Sequence, residues 1–212
     1  MVSSLYKHYD CVVSEEFIGG RLCLDFANTV DWRRRSDPEE LVQDYTGLLD
    51  WSVRAGAVSP REGRRLHTVA EADPRAANAA YAAGLGLREA FYRAALAQAH
   101  AEPPSEGDLT QVVRSYAEAV QRARLSRDGT AYEWAFDENA DELDRPWWPV
   151  AVSAVELLSS PELARVRECE GRGCGWLFLD ESRSRTRRWC SSAGCGNRER
   201  VRRYYERTRR QG

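Results

Sequence analysis

Four of the six cysteines in this chain repeat one spacing, C-x4-C, at Cys169 with Cys174 and at Cys190 with Cys195. A turn of that length lets two sulfurs approach one ion, and two such turns complete the tetrahedron of thiolates that Zn2+ prefers. Four protein ligands leave no coordination position open, so the expected cofactor is one structural zinc ion. The alternatives are four unrelated buried thiols or a pair of disulfides, and a reducing compartment disfavours the latter. Cys11 and Cys23 have no partner spacing and are expected to be small core residues.

The compartment is inferred from what the chain does not show. The N-terminal MVSSLYKHYDCVVSEEF has no basic region followed by an apolar run, and no stretch approaches the length of an uncharged membrane span. A cytoplasmic protein without a membrane partner is therefore expected.

Charge divides the chain. Residues 169–212 hold 12 arginines and no lysine against 5 acidic groups, a net +7, while the preceding residues hold 19 basic and 28 acidic groups, a net −9. An acidic body with a basic tail points to a polyanionic partner at one end, with nucleic acid the usual candidate.

Helix signals dominate residues 1–160, a first domain read as a sensor or dimerisation body. Asp37-Pro38-Glu39-Glu40 reads as a helix start ahead of Leu41, Tyr45, Leu48 and Leu49, and Ser59-Pro60-Arg61-Glu62 repeats that signature. Further starts stand at Asp73-Pro74 and Ser105. Leu125, Tyr132, Trp134 and Phe136 flank Asp128-Gly129, which predicts a two-stranded ribbon over residues 122–136. Helix resumes at Pro146, and Ser160-Pro161 opens a short connection to Cys169.

In the second domain, residues 161–212, Trp176-Leu177-Phe178-Leu179 and Arg187-Arg188-Trp189 suggest a hairpin between the two cysteine turns. After Cys195 a helix is expected, with Asn197 as its cap and Val201, Tyr204, Tyr205 and Thr208 as a stripe packing back on the hairpin. The whole is mostly α (α+β), a helical body with a small β-hairpin followed by a treble-clef-like zinc finger.

The run from Cys169 through Phe178, Asp180, Ser182-Arg183, Arg187-Arg188-Trp189-Cys190-Ser191 and Cys195-Gly196-Asn197-Arg198 resembles the CGNR zinc-finger family. FIGGRLCLDFANTV at 17–30 is similar to the ABATE domain that precedes this finger in stress-induced transcription regulators of bacteria. Ser184, Ser192 and Arg200 depart from residues common in the finger family, and none of them is a ligand. The resemblance implies a DNA-binding regulator.

Arginine supplies a planar fork that grips phosphate or a guanine edge with two bonds. Arg183, Arg185, Arg187 and Arg188 on the hairpin, and Asn197, Arg198, Arg200, Arg202, Arg203, Arg207 and Arg210 on the helix, are the candidate nucleic-acid contacts. Asn197 and Arg198 are the groups expected at base edges and the others at phosphates. Some of these arginines have a competing use, neutralising the four thiolates. Double-stranded DNA is the expected partner, with RNA or a protein surface as the alternative. So small a finger suggests a homodimer.

Asp25, Asn28, Thr29 and Arg33 lie on or beside one helical face, where they either form a structural network or line a pocket for a small effector. The histidines at 8, 67 and 100 have no metalloenzyme spacing, and no nucleophile has an evident companion, so a non-enzymatic protein is expected.

Overall fold

A computed structural model of the chain describes residues 17–211, apart from the side chains of Asp128, Glu133, Arg210 and Gln211. Cys11 and His8 fall outside the described residues. Element α1 (Leu22–Ala27) is wholly buried, and α6 (Trp148–Leu158) lies against it. Val150, Ala151, Val152 and Ala154 on α6 are all buried. A helix apolar on every side belongs at the centre of a bundle.

Around this pair run α2 (Tyr45–Arg54), α3 (Pro60–Ala72), the long α4 (Pro74–Ala99) and α5 (Glu106–Gln121). The start of α3 is the capping box that Ser59 and Glu62 predict: each side chain accepts from the other's amide, at 3.2 and 2.8 Å. Asp73 caps α4 by accepting from the Ala76 amide at 2.9 Å. At Gly84 of α4 an added Cβ would stand 3.0 Å from the Trp147 ring, so the missing side chain lets the indole close on the helix.

The expected helix start at Asp37-Pro38 does not form. Residues Val30–Asp31 (β1) and Glu39–Glu40 (β2) pair antiparallel instead, and the helix begins after Asp44, whose carboxylate accepts from the Gly47 amide at 2.8 Å. The reason is long-range. Buried Arg88 on α4 donates to both Glu40 oxygens, at 2.8 and 2.6 Å, and a buried guanidinium needs that carboxylate more than a solvated capping box does. Leu41, counted in the apolar stripe, is left 48% exposed.

The ribbon forms as β3 (Ala123–Asp128) and β4 (Ala131–Phe136). Asp128 pairs with Ala131, so the two-residue turn is Gly129-Thr130, one position later than the sequence suggests, with Gly129 at φ 58°. Among the described residues no helix is long and apolar enough to cross a membrane.

Strands β5 (Val166–Glu168) and β6 (Leu177–Leu179) pair antiparallel and carry the first cysteine turn at their tip. Strand β6 therefore finds its partner before the cysteines; Arg187-Arg188-Trp189 forms no strand. Val166, Leu177 and Leu179 join the same core as Leu22, Phe26 and Trp147. The chain ends in α7 (Asn197–Gln211).

Candidate metal centre and basic helix

Cys169 follows β5 directly, and its amide donates to the Trp176 carbonyl at 2.8 Å, which closes the first turn. Inside it Gly171 is sterically required: a Cβ there would lie 2.8 Å from the Cys195 sulfur and 3.3 Å from that of Cys169. In the second turn the Ser191 hydroxyl accepts from the Gly194 amide at 3.0 Å, and residues 192–196 wind as a wide turn into α7. Asn197 is already helical, with φ −68° and ψ −45°, so Ser191 and not Asn197 supplies the cap.

These two turns bring Cys169, Cys174, Cys190 and Cys195 together with all four sulfurs within 4.8 Å of one another, and all four residues are buried. A tetrahedron with Zn–S bonds of about 2.3 Å has edges of about 3.8 Å, whereas a disulfide needs about 2.05 Å. The Cys174–Cys190 and Cys190–Cys195 sulfurs stand 3.8 and 3.6 Å apart. Donors already surround the sulfurs, with the Gly171 and Cys190 amides 3.4 and 3.3 Å from Cys169 and an Arg198 Nη2 at 2.9 Å from Cys195. Hydrogen bonds from neighbouring thiols, then Arg198, hold the Cys195 thiol well below its ordinary range. The donor set fits one structural zinc ion. Trp176 and Trp189 pack against the cysteines, and the Trp176 indole N–H donates to the Val30 carbonyl at 3.0 Å.

Between the turns, buried Asp180 organises the loop. Burial alone would raise its carboxyl, but it accepts from Ser182 Oγ, the Ser182 amide and the Arg187 amide at 2.5, 2.9 and 3.1 Å, and the net shift is downward. Arg187 lies over the Phe178 ring at 4.3 Å and donates to the carbonyls of Trp189 and Cys190. That guanidinium is a strut of the finger. Arg188 pairs with Glu170.

Arg198 is likewise committed. Besides its bond to Cys195 it stacks over Trp32 at 4.7 Å, and Arg35 covers the same ring at 3.3 Å. In this structure the sulfur and the indole hold its planar group. Trp32 has no signal in the finger's sequence that would have found it, because the two residues meet only through the fold.

Farther along α7, Arg200 donates to Asn197 Oδ1 at 3.3 Å, and Arg202 bonds Glu199 and Glu206. The side chains of Arg183, Arg185, Arg203, Arg207 and Arg209 make no hydrogen bond or ion pair with another described residue, and the Arg210 side chain lies outside that set. Trp189, Gly196, Arg200, Arg203, Glu206 and Arg207 line a cleft of about 480 Å3 beside the helix.

Asp25, Asn28, Thr29 and Arg33 are bonded internally. Asp25 accepts from the Gly19 amide at 2.7 Å, Thr29 donates to Phe26 and accepts from Arg88, and Arg33 bonds Ala27 and Glu89. Asn28 bonds the backbone of Leu177. Cys23 is buried in the same core, and burial pushes its thiol up to about 12.

Residues 20–161 match the ABATE family model, described as "Putative stress-induced transcription regulator". The chain belongs to the ABATE family. Residues 165–208 of this ABATE chain match the CGNR zinc finger, in the body-then-finger order that the sequence suggests. No curated protein matches the chain. The ABATE body and its finger are not merely consecutive, since β5 and β6 complete the body's core on one side and present the cysteines on the other.

Proposed function

We propose that this chain is a non-enzymatic bacterial transcription regulator of the cytoplasm, binding double-stranded DNA through α7 and the cleft beside it. The observation that carries this reading is the arginine row Arg200, Arg203 and Arg207, which lies on one side of an exposed helix whose first turn is fixed to the zinc site. Exposed guanidiniums with no carboxylate partner are free to release counterions from a polyanion. Arg183 and Arg185 add charge from the loop between the cysteine turns. In this reading residues 161–212 are the binding module and residues 1–160 serve dimerisation or effector sensing. One finger of this size covers few base pairs, so two copies on one duplex supply affinity that a single module lacks.

Anisotropy titration of zinc-loaded, full-length protein against duplex DNA over a salt series tests the proposal. With about six phosphate contacts, log K falls against log salt with a slope of about −5. A flat line, or a preference for structured RNA over duplex DNA, overturns it.

A further inference from the structure

Val201, Tyr204, Tyr205 and Thr208 recur on α7 at the spacing of one helix face. The sequence calls for that face to be buried against the finger, yet Val201 is 45%, Tyr204 59% and Tyr205 62% exposed. The side turned to the finger is the opposite one: Glu199 is buried there and accepts from the Arg172 amide at 3.2 Å, with Glu206 two turns farther along. Arginines occupy both flanks between these faces. Arg200, Arg203 and Arg207 form one row, and Arg202 and Arg209 lie on the other side. From Arg200 onward every described residue of the helix is exposed. A helix this short, held only at its first turn, is marginal in water without something to cover it.

We infer that the Val201–Tyr204–Tyr205–Thr208 stripe is the face that enters the major groove of B-form DNA and contacts base edges, with Arg200, Arg203 and Arg207 gripping phosphates on one flank and Arg209 on the other, where Arg202 is paired with Glu199 and Glu206. This rests on the reading that α7 binds duplex DNA and assigns which of its faces does so. The major groove is about 12 Å wide and a helix with side chains about 10–12 Å across, so a seated helix has a phosphate strand on each flank. A stripe flanked by positive charge on both sides matches that charge pattern. Its centre offers methyl groups on Val201 and Thr208 for thymine methyls, and hydroxyls on Tyr204 and Tyr205 for base donors and acceptors, while the Thr208 hydroxyl donates to the Tyr204 carbonyl at 3.1 Å. The deep, narrow groove of A-form RNA does not admit a helix. A second copy laid on the same stripe would bring the arginine rows of both chains together with no anion between them.

The test uses zinc-loaded, full-length protein and a site that the wild type enriches from random-sequence duplexes. Tyr204 and Tyr205 are exposed, so the double variant Tyr204→Ala with Tyr205→Ala should retain zinc content and the tryptophan circular dichroism of the wild type. It is expected to lose about tenfold or more in affinity for the enriched duplex while changing little on a scrambled one. Arg203→Ala is the contrasting control, weakening both duplexes alike and flattening the salt slope by about 0.9. Tyr204→Phe with Tyr205→Phe keeps the rings and is expected to alter the enriched sequence. The inference is overturned, with DNA binding left standing, if the alanine variant keeps the wild-type preference or if the wild type enriches no sequence. It is also overturned if the alanine variant turns a dimer of free protein into monomers in sedimentation. A wild type that binds no duplex overturns the underlying reading as well.

Discussion

Asn28 and Leu177 exchange two hydrogen bonds across the join between body and finger. Asn28 Nδ2 donates to the Leu177 carbonyl at 2.8 Å, and the Leu177 amide donates to Asn28 Oδ1 at 2.9 Å. The side-chain amide thereby stands in for a neighbouring strand, satisfying backbone groups of a fully buried residue that water cannot reach. Asn28→Ala orphans both groups at once. At about 1–3 kcal/mol for each orphan, the unfolding free energy of the zinc-loaded protein should fall by about 3 kcal/mol in urea denaturation. A variant as stable as the wild type would show that the pair contributes nothing.

Zinc loss should reach the body through the same strands. Val166, Leu177 and Leu179 pack with Leu22, Phe26 and Trp147, so a finger that opens takes three apolar side chains out of the central core. Structural zinc contributes on the order of 10–16 kcal/mol to small modules of this kind. Chelation is expected to speed hydrogen exchange at the α1 amides by about tenfold or more, read by mass spectrometry. Unchanged exchange in α1 would show that the two parts unfold independently.

What could be read from the sequence was local. The cysteine turns, the Ser59–Glu62 capping box and the Asp73 cap depend on residues a few positions apart, and each forms where the spacing says. The misreading at Glu40 involves a partner far along the chain, Arg88, whereas β6 pairs with nearby β5 and not with the segment at Trp189, and the cap falls on Ser191 and not on Asn197. The stripe on α7 is legible as a stripe. Its periodicity says that Val201, Tyr204, Tyr205 and Thr208 share a face and says nothing of whether this protein or a partner covers it.

The cluster of Arg33, Arg88 and Glu89 should leave a signature in acid. Burial alone would raise the Glu89 carboxyl, but hydrogen bonds and charge from Arg33 and Arg88 outweigh it and the folded pKa lies below the ordinary value. A depressed carboxyl stabilises the fold above its unfolded pKa of about 4.3, and that contribution is lost as pH falls through the folded value. Glu89→Gln is expected to cost about 2 kcal/mol at pH 7, because Arg33 and Arg88 both lose a charged acceptor. The gap between wild type and variant should then narrow below about pH 4.3 in parallel urea titrations. A gap independent of pH would mean that the lost contact is one of packing alone.

Arg198 separates metal retention from DNA contact. Its Nη2 lies 2.9 Å from the Cys195 sulfur while the guanidinium stacks over Trp32, so one side chain both offsets thiolate charge and ties the second cysteine turn to Trp32 of the body. Groups that bond a metal ligand from outside typically change metal affinity by about 10–100-fold when removed. Arg198→Ala should therefore weaken zinc retention by about that factor in competition with a chromophoric chelator. Arg198→Lys keeps the charge but loses the flat stacking surface, and is expected to fall between the two. Measured with zinc in excess, the DNA affinity of Arg198→Ala should stay closer to wild type than that of Arg203→Ala, whose side chain bonds no other described residue. If the order of those two affinities is reversed, Arg198 leaves Cys195 to reach the duplex, and its bond to the sulfur belongs to the free protein alone.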